Sequence, residues 1–445
     1  MNKSDTILGH PKGLFVLFFT ELWERFSYYG MRAMLVLYMA ATVAEGGLGF
    51  TQKDALYIYG IYVTLVYLMA VPGGIIADKL LGQRKSVMLG GLLLCAGHGL
   101  MATPAKWAFF MALGLIILGV GLLKPNISTM VGSLYENDLK NQNSGFTIFY
   151  MGINVGAGIG AILVGVLRLK YGWHWGFAAA GIGMVFGQIV YIWGQKYLGD
   201  IGLHTNKEAI KNVSTKEPLT KKEFKKLLVL LISFAIVLVF WVAFEQAGGL
   251  MNLYTENYTD RTFMSMEIPS EFFQSLNPFY IMIFAPIIAA LWLKLAKKGK
   301  EPSSIFKMGL GNLILGVGFI FMVFASMERG SDILPGFMFL DNPAKSGMHW
   351  LMFAYLFHTL GELALSPVSL SFISKMAPKR MTSSVMGLYF AVTGIGGGAL
   401  AAFIGGFASS QGELMIFGGI AIFTITFGII VMLATKKINK IADES

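Results

Sequence analysis

GDIGLHTNKEAIKNVSTKEPLTKKEFKK, residues 199–226, is the longest polar stretch inside an otherwise hydrophobic chain. Apolar runs succeed one another on both sides of it, six before and six after. A bilayer core of about 30 Å takes about 20 apolar residues of helix. The runs lie near 13–42, 55–76, 87–102, 106–133, 145–168, 174–197, 226–257, 274–297, 306–327, 348–376, 384–410 and 413–435. The first, fourth, seventh and tenth exceed that thickness and must tilt, bend or protrude. The polar stretch therefore joins two bundles of six helices: residues 1–198, a linker over 199–226, and residues 227–445. A short amphipathic helix could begin at 217, but the lysine-rich composition reads first as a solvated tether.

Composition leads to the same class. Of 445 residues, 55% are hydrophobic and 13% charged. A soluble domain carries about 25% charged residues, so a chain of this length could not stay in solution with so little charge. The 54 glycines and 26 methionines suit closely packed helices in lipid. Cys95 is the one cysteine, which excludes an intrachain disulfide and a cysteine-based metal site. The six histidines have no metal-ligand spacing, and no phosphate loop, nucleophile elbow or dinucleotide fingerprint is present. The chain is expected not to be an enzyme and to hold no metal or organic cofactor. No signal peptide is expected ahead of the first run.

The net charge of +10 could suit nucleic acid, but its distribution does not. Lysines and arginines fall between apolar runs. With twelve spans, the side shared by both termini carries 25 of the 35, the opposite side carries 7, and Arg25, Arg32 and Lys124 lie within spans. That bias places both termini in the cytoplasm.

Seven charges stand where lipid would be: Glu21, Glu24, Arg25, Arg32, Lys124, Glu245 and Glu362. Each costs about 3 kcal/mol at the bilayer centre, so each must face a partner, the bundle interior or a watery cavity. On the first span Glu21, Glu24, Arg25, Tyr28, Tyr29 and Arg32 fall within an arc of about 140° at about 100° per residue. That face alternates carboxylate, guanidinium and phenol and suits a ligand with both charges. A self-satisfying Glu21–Arg25 pair would explain only two of the six. Pro125 follows Lys124 and disturbs the helix, leaving carbonyls for Asn126 or Lys124 to satisfy. Glu245 and Glu362 are candidate proton carriers on the seventh and tenth spans. His358, one turn before Glu362, reads as a packed, satisfied histidine. Gly74, Asp78, Gly82, Arg84 and Lys85 form a turn between the second and third spans, a pattern common to major facilitator proteins.

Two bundles of six with such a turn form the architecture of the major facilitator fold, in which a midplane site lies between the halves. The charged stretches narrow the match. Glu21-Leu22-Trp23-Glu24-Arg25-Phe26-Ser27-Tyr28-Tyr29-Gly30 resembles the E-x-x-E-R-F-x-Y-Y-G signature of the proton-coupled oligopeptide transporter family. Phe149-Tyr150-Met151-Gly152-Ile153-Asn154-Val155-Gly156 is similar to that family's F-Y-x-x-I-N-x-G signature. Lys124-Pro125-Asn126, Phe244-Glu245-Gln246, Ser275-Leu276-Asn277-Pro278 and Gly361-Glu362-Leu363 also match.

The resemblance implies a symporter of the plasma (inner) membrane that imports di- and tripeptides by alternating access, with protons as the coupling ion. It implies that Glu21, Glu24 and Arg25 couple protonation to conformational change, and that Lys124 and Glu245 form an ion pair that breaks with protonation. Arg25, Arg32 and Lys124 would hold the peptide carboxylate. Glu362, with Asn154 and Asn277, would hold the amine, and Tyr28, Tyr29 and Tyr67 would line the pocket. Lipid is the expected surrounding, nucleic acid is not an expected partner, and a monomer is expected. Three departures stand out: no extra helix pair between the bundles, Tyr389-Phe390 where members usually carry a tryptophan, and no histidine on the second span. The rivals are a major facilitator transporter of another substrate, such as nitrate or a drug, and a membrane receptor that binds peptides without moving them.

Overall fold

The computed structural model describes residues 6–136, 138–203, 220–329, 345–377, 382–408 and 412–443. The chain divides into two compact units, Met1–Gly49 with Leu65–Ser214, and Phe50–Thr64 with Thr215–Ser445. Most of the linker, residues 204–219, lies outside the described residues.

Up to the linker the chain forms α1 (Lys12–Ala40), α2 (Gln52–Ile76), α3 (Gln83–Met101), α4 (Lys106–Ser133), α5 (Leu139–Tyr171) and α6 (Trp173–Gly194), all in the first unit except α2 up to Thr64, which is grouped with the second. Helix α1 packs on α5 and α6, while α3 packs on α4 and α6. Glycines set the closest of these approaches. A Cβ at Gly156 would strike the Leu22 carbonyl oxygen, and one at Gly160 that of Phe26. Trp23 meets Phe186 of α6 with ring centroids 5.3 Å apart. Without a hydrophobic force between helices in lipid, such small-residue seams are what lets them pack.

Helix α4 runs through Pro125 without stopping. The Asn126 side chain donates to the Leu122 carbonyl at 2.7 Å, so asparagine supplies a donor beside the proline, as expected. Ahead of α1, the paired residues Thr6–Ile7 and His10–Pro11 bring His10 Nδ1 within 2.7 Å of the Tyr135 hydroxyl. Burial, helped by the Asp138 charge, pushes that phenol up to about 12.

After the linker the main part of the second unit opens on a capping box. Thr220 Oγ1 accepts from the Glu223 backbone N–H, and the Glu223 carboxylate accepts from that of Thr220. Helix α7 (Lys221–Phe244) starts here, so residues from 221 onward are its first turns rather than a separate helix; residues 217–219 lie outside the described residues. A tight turn, Glu245–Ala247, leads into α8 (Leu250–Tyr258). Then come α9 (Glu271–Gln274), α10 (Leu276–Lys297), α11 (Ser304–Glu328) and α12 (Met348–Met376). Helix α13 (Thr382–Ile395) passes through a wide π turn, Gly396–Leu400, into α14 (Ala401–Ala408), and α15 (Glu413–Asp443) closes the unit.

Helix α11 packs on α12 and α15. At its crossing with α12, a Cβ on Gly311 would stand 2.8 Å from the Gly361 carbonyl oxygen, and one on Gly361 2.7 Å from that of Gly311. Between α8 and α9, Arg261 binds Glu267 at 2.9 Å, Glu256 at 3.3 Å and the Ile268 carbonyl at 2.8 Å. Arg329 lies 3.6 Å over the Tyr258 ring and pairs with Glu413.

Each predicted apolar run has its helix. Among the described residues, ten helices are long and apolar enough to cross a membrane. Helices α1 and α3 complete the twelve, α1 falling short because Glu21, Glu24, Arg25 and Arg32 interrupt its apolar sequence.

Candidate functional site

The packing of α1 decides where its charges go. Leu22, Trp23, Phe26 and Gly30 are taken up by α5 and α6, which turns the Glu21–Arg32 arc the other way. Glu21, Glu24 and Arg25 are 2%, 0% and 3% exposed, so the pairing among them is their environment. Arg25 Nε lies 2.7 Å from Glu21 Oε1 and 2.7 Å from Glu24 Oε2.

The two contacts differ in kind. Nε–H donates to Glu21, whereas Glu24 is equally near but out of line, and among the described residues neither of its oxygens accepts a hydrogen bond. The one guanidinium therefore neutralises two buried carboxylates while bonding well to only one. A Glu21–Arg25 pair alone would leave Glu24 unexplained; the geometry gives Glu24 the same guanidinium as a partner, but an incomplete one.

The rest of the arc surrounds this triad. Arg25 Cζ stands 5.8 Å from the Tyr28 ring and 6.0 Å from that of Tyr29, and Arg32 Cζ is 5.8 Å from the Tyr29 ring. Lys124 on α4 lies within electrostatic reach of Glu24, Glu21, Arg25 and Arg32. Its Nζ is 4.5 Å over the Tyr67 ring of α2. Three cations, two carboxylates and three phenols are thus gathered in the first unit. Asn154 of α5 is buried and donates to the Tyr150 carbonyl of its own helix at 2.9 Å.

In the second unit the Gly311–Gly361 crossing fixes α12, and Glu362 follows directly. Asn277 Nδ2 of α10 donates to Glu362 Oε2 at 2.8 Å and lies 3.1 Å from Thr359 Oγ1. Glu245 is 5% exposed where α7 ends, and its charge reaches Glu362. A Cβ on Gly397 would stand 2.7 Å from Glu245 Cγ, so this glycine of the π turn is what leaves room for the carboxylate. Asn277 and Glu362 are thus brought together; Lys124 belongs to the first unit and Glu245 to the second.

Several participants escaped the sequence reading. Thr359 shares Asn277 with Glu362, and Gln274 Nε2 joins the Ala247 carbonyl to the Tyr355 hydroxyl. The Gly396-Gly397-Gly398 run was the available signal for the π turn. His358 is 1% exposed, with neither ring nitrogen hydrogen-bonded among the described residues and its ring 4.5 Å from that of Phe319. It is packed as expected but not satisfied.

Comparison with known proteins follows the same lines. The family model described as the POT family matches residues 84–216 and 203–415. The uncharacterized transporter YclF of Bacillus subtilis (strain 168) is 36% identical over 97% of this chain and 95% of its own length. A di-/tripeptide transporter of Lactococcus lactis subsp. lactis (strain IL1403) is 33% identical over 99% of this chain and 98% of its own. Among solved structures, a mutant of peptide transporter POT in complex with alafosfalin superposes with a TM-score of 0.89 at 34% identity, covering 98% of this chain and 96% of that one. A POT family transporter in complex with 5-aminolevulinic acid gives 0.88 at 29% identity, over 98% of each chain. The all-α, twelve-helix major facilitator architecture expected from the sequence holds, and the protein is an integral membrane protein. With a family model over most of its length and relatives alike from end to end, the chain belongs to the POT family.

Proposed function

We propose that the protein is a symporter that draws di- and tripeptides inward with protons. The observation that carries this reading is Arg25 held between Glu21 and Glu24, two buried carboxylates served by one guanidinium. Binding a small molecule does not require a second buried acid left without a hydrogen bond. Carrying a proton does, because Glu24 can then be neutral or charged at modest cost within one packing arrangement.

Roles follow from charge. The carboxylate of a peptide has Arg25, Arg32 and Lys124 as partners, and its amine has Glu362, oriented by Asn277. Tyr28, Tyr29 and Tyr67 offer phenols to the peptide backbone, and Asn154, whose Nδ2 donates to the Tyr150 carbonyl, presents its Oδ1 as an acceptor for the amine end. Glu245 is the proton-carrying acid of the second unit. The driving force is adequate: one charge crossing 100 mV releases about 2.3 kcal/mol, and each unit of pH difference adds about 1.4 kcal/mol. The protein works as a monomer in the plasma membrane with both termini in the cytoplasm, the side that the lysine and arginine distribution selects. It needs no metal or organic cofactor.

Glu362 with Asn277 favours a peptide over an inorganic anion, which has no amine to bind there. The named relatives and the ligands of the structural neighbours support the same choice. The test is uptake of labelled dialanine into proteoliposomes under an inside-negative potential and inward proton gradient. Accumulation that collapses with a protonophore supports symport; accumulation indifferent to the protonophore rejects it.

A further inference from the structure

Helix α12 carries a line of polar groups of which Glu362 alone has been given a part in holding the peptide ends. Tyr355, Thr359, Glu362, Ser366 and Ser369 are spaced i, i+4, i+7, i+11 and i+14, and fall within an arc of about 80° at about 100° per residue. They are linked by contacts rather than by sequence alone. Gln274 reaches the Tyr355 hydroxyl at 3.0 Å, and Thr359 Oγ1 donates to the Tyr355 carbonyl at 2.7 Å. Asn277 ties Thr359 to Glu362. Past Glu362, Ser369 Oγ donates to the Ser366 carbonyl at 3.0 Å and lies 3.2 Å from the Tyr389 hydroxyl of α13. Ser369 is 0% exposed and Tyr389 6%.

The step between Glu362 and Ser369 is the informative one. Ser366 Oγ is buried and has no hydrogen-bond partner among the described residues. Pro367 has no N–H to give to the Leu363 carbonyl, so an acceptor is released in the same turn. A hydroxyl and a carbonyl there are two of the two to four polar partners a buried water requires.

We propose that Ser366, Ser369 and Tyr389 form a proton track leading from Glu362 toward the Met376 end of α12. The inference rests on the transport reading above and gives Glu362 a second duty. An ammonium group binds the carboxylate form, so a proton on Glu362 has to leave when the amine arrives and return when it departs. The proton passes from the Glu362 carboxyl to a water held by Ser366 Oγ and the Leu363 carbonyl. That water passes one of its own protons to Ser369 Oγ, whose proton moves to the Tyr389 hydroxyl, which in turn hands one to solvent water at the Met376 end of α12. Each hydroxyl gains one proton and loses one, so Glu362 alone changes charge.

The surroundings agree with this route. Asn277 faces Glu362 from α10 and is neutral, Glu245 in the turn after α7 is the acid whose charge reaches it, and the Tyr389 phenol of α13 lies within electrostatic reach of it. His358 on α12 itself is turned to Phe319 of α11. With both termini in the cytoplasm, the Met376 end of α12 is the cytoplasmic end.

Ser366→Ala, Ser369→Ala and Tyr389→Phe remove the hydroxyls with little change of shape, and Ser369→Thr keeps one. Each purified protein is compared in proteoliposomes for dialanine uptake driven by a pH gradient and for dialanine counterflow at equal pH. The expected result is a fall of about tenfold in driven uptake for the first three, counterflow within about twofold of the unsubstituted protein, and recovery in Ser369→Thr. Unchanged driven uptake, or an equal loss in both assays, overturns the track, the second outcome marking a packing role. An unsubstituted protein that moves dialanine in neither assay overturns the transport reading instead.

Discussion

Asn277 Nδ2 donates to Glu362 Oε2 at 2.8 Å, so the carboxylate of the tenth span is aimed by an amide from the eighth. A neutral amide orients an anion without cancelling its charge. That is what a group needs if a cation from outside is to find it.

Glu362→Gln should therefore weaken free dipeptides more than N-acetylated ones. A hydrogen bond to a charged group contributes about 1.5–3 kcal/mol, equivalent to about tenfold or more in affinity, and an acetylated peptide never made it. Competition of each peptide against one labelled dipeptide, on both proteins, gives the ratio. A ratio unchanged by the substitution would mean that Glu362 braces α12 beside Pro367 instead of binding an amine.

Removing one partner of the α1 triad should be costly in a lopsided way. Arg25→Ala leaves Glu21 and Glu24 buried without compensation, and breaking a buried pair costs about 3–5 kcal/mol. Glu24→Gln keeps size and packing, and leaves the well-aligned Arg25–Glu21 bond in place. Thermal unfolding in detergent should show a large drop for Arg25→Ala and a small one for Glu24→Gln. In proteoliposomes Glu24→Gln should lose gradient-driven uptake and retain part of its exchange, since an amide bonds but carries no proton.

Much of this was legible in the sequence, for physical reasons. A bilayer obliges a helix to show about 20 apolar residues, so all twelve runs could be counted. Intramembrane charge is rare, so the α1 arc announced itself, and its periodicity correctly placed Glu21, Arg25 and Tyr28 on one face. Contacts between helices left no such trace. Ser369 and Tyr389 sit twenty positions apart, each an ordinary residue of an apolar run, and only packing brings their hydroxyls together. The break after Phe244 is similar: Glu245 was marked for its charge, but nothing local said that the helix turns there, or that Gly397 must be bare to receive it.

Gly397→Ala follows from that last contact. The added methyl would press on Glu245 Cγ, at 2.7 Å, and the side chain would have to move. Driven uptake should fall about tenfold or more, with thermal stability altered little, because the neighbour that yields is a flexible side chain. Gly387→Ala, at a position with nothing within 4 Å, is the matched control on the same helix pair and should behave as the unsubstituted protein.

The α1–α5 seam makes a prediction about folding rather than chemistry. At Gly156 and Gly160 the obstacle is the backbone of α1, at Leu22 and Phe26, and a backbone cannot step aside as a side chain can. Alanine at either position must push the helices apart, and overpacking of this kind costs about 1–3 kcal/mol. Against that stands a helix-propensity gain of about 1 kcal/mol for replacing glycine by alanine. The steric term should prevail, and most strongly in the double substitution Gly156→Ala with Gly160→Ala. Gly114→Ala on α4 has open space around its Cβ and gains the propensity without the clash. Thermal unfolding of the three proteins in one detergent should therefore rank Gly114→Ala at or above the unsubstituted chain and the double variant well below it. Because the same seam turns the Glu21–Arg32 arc away from α5 and α6, the double variant should also lose dialanine counterflow. Loss of stability with full counterflow would show that the arc is positioned by something other than this seam.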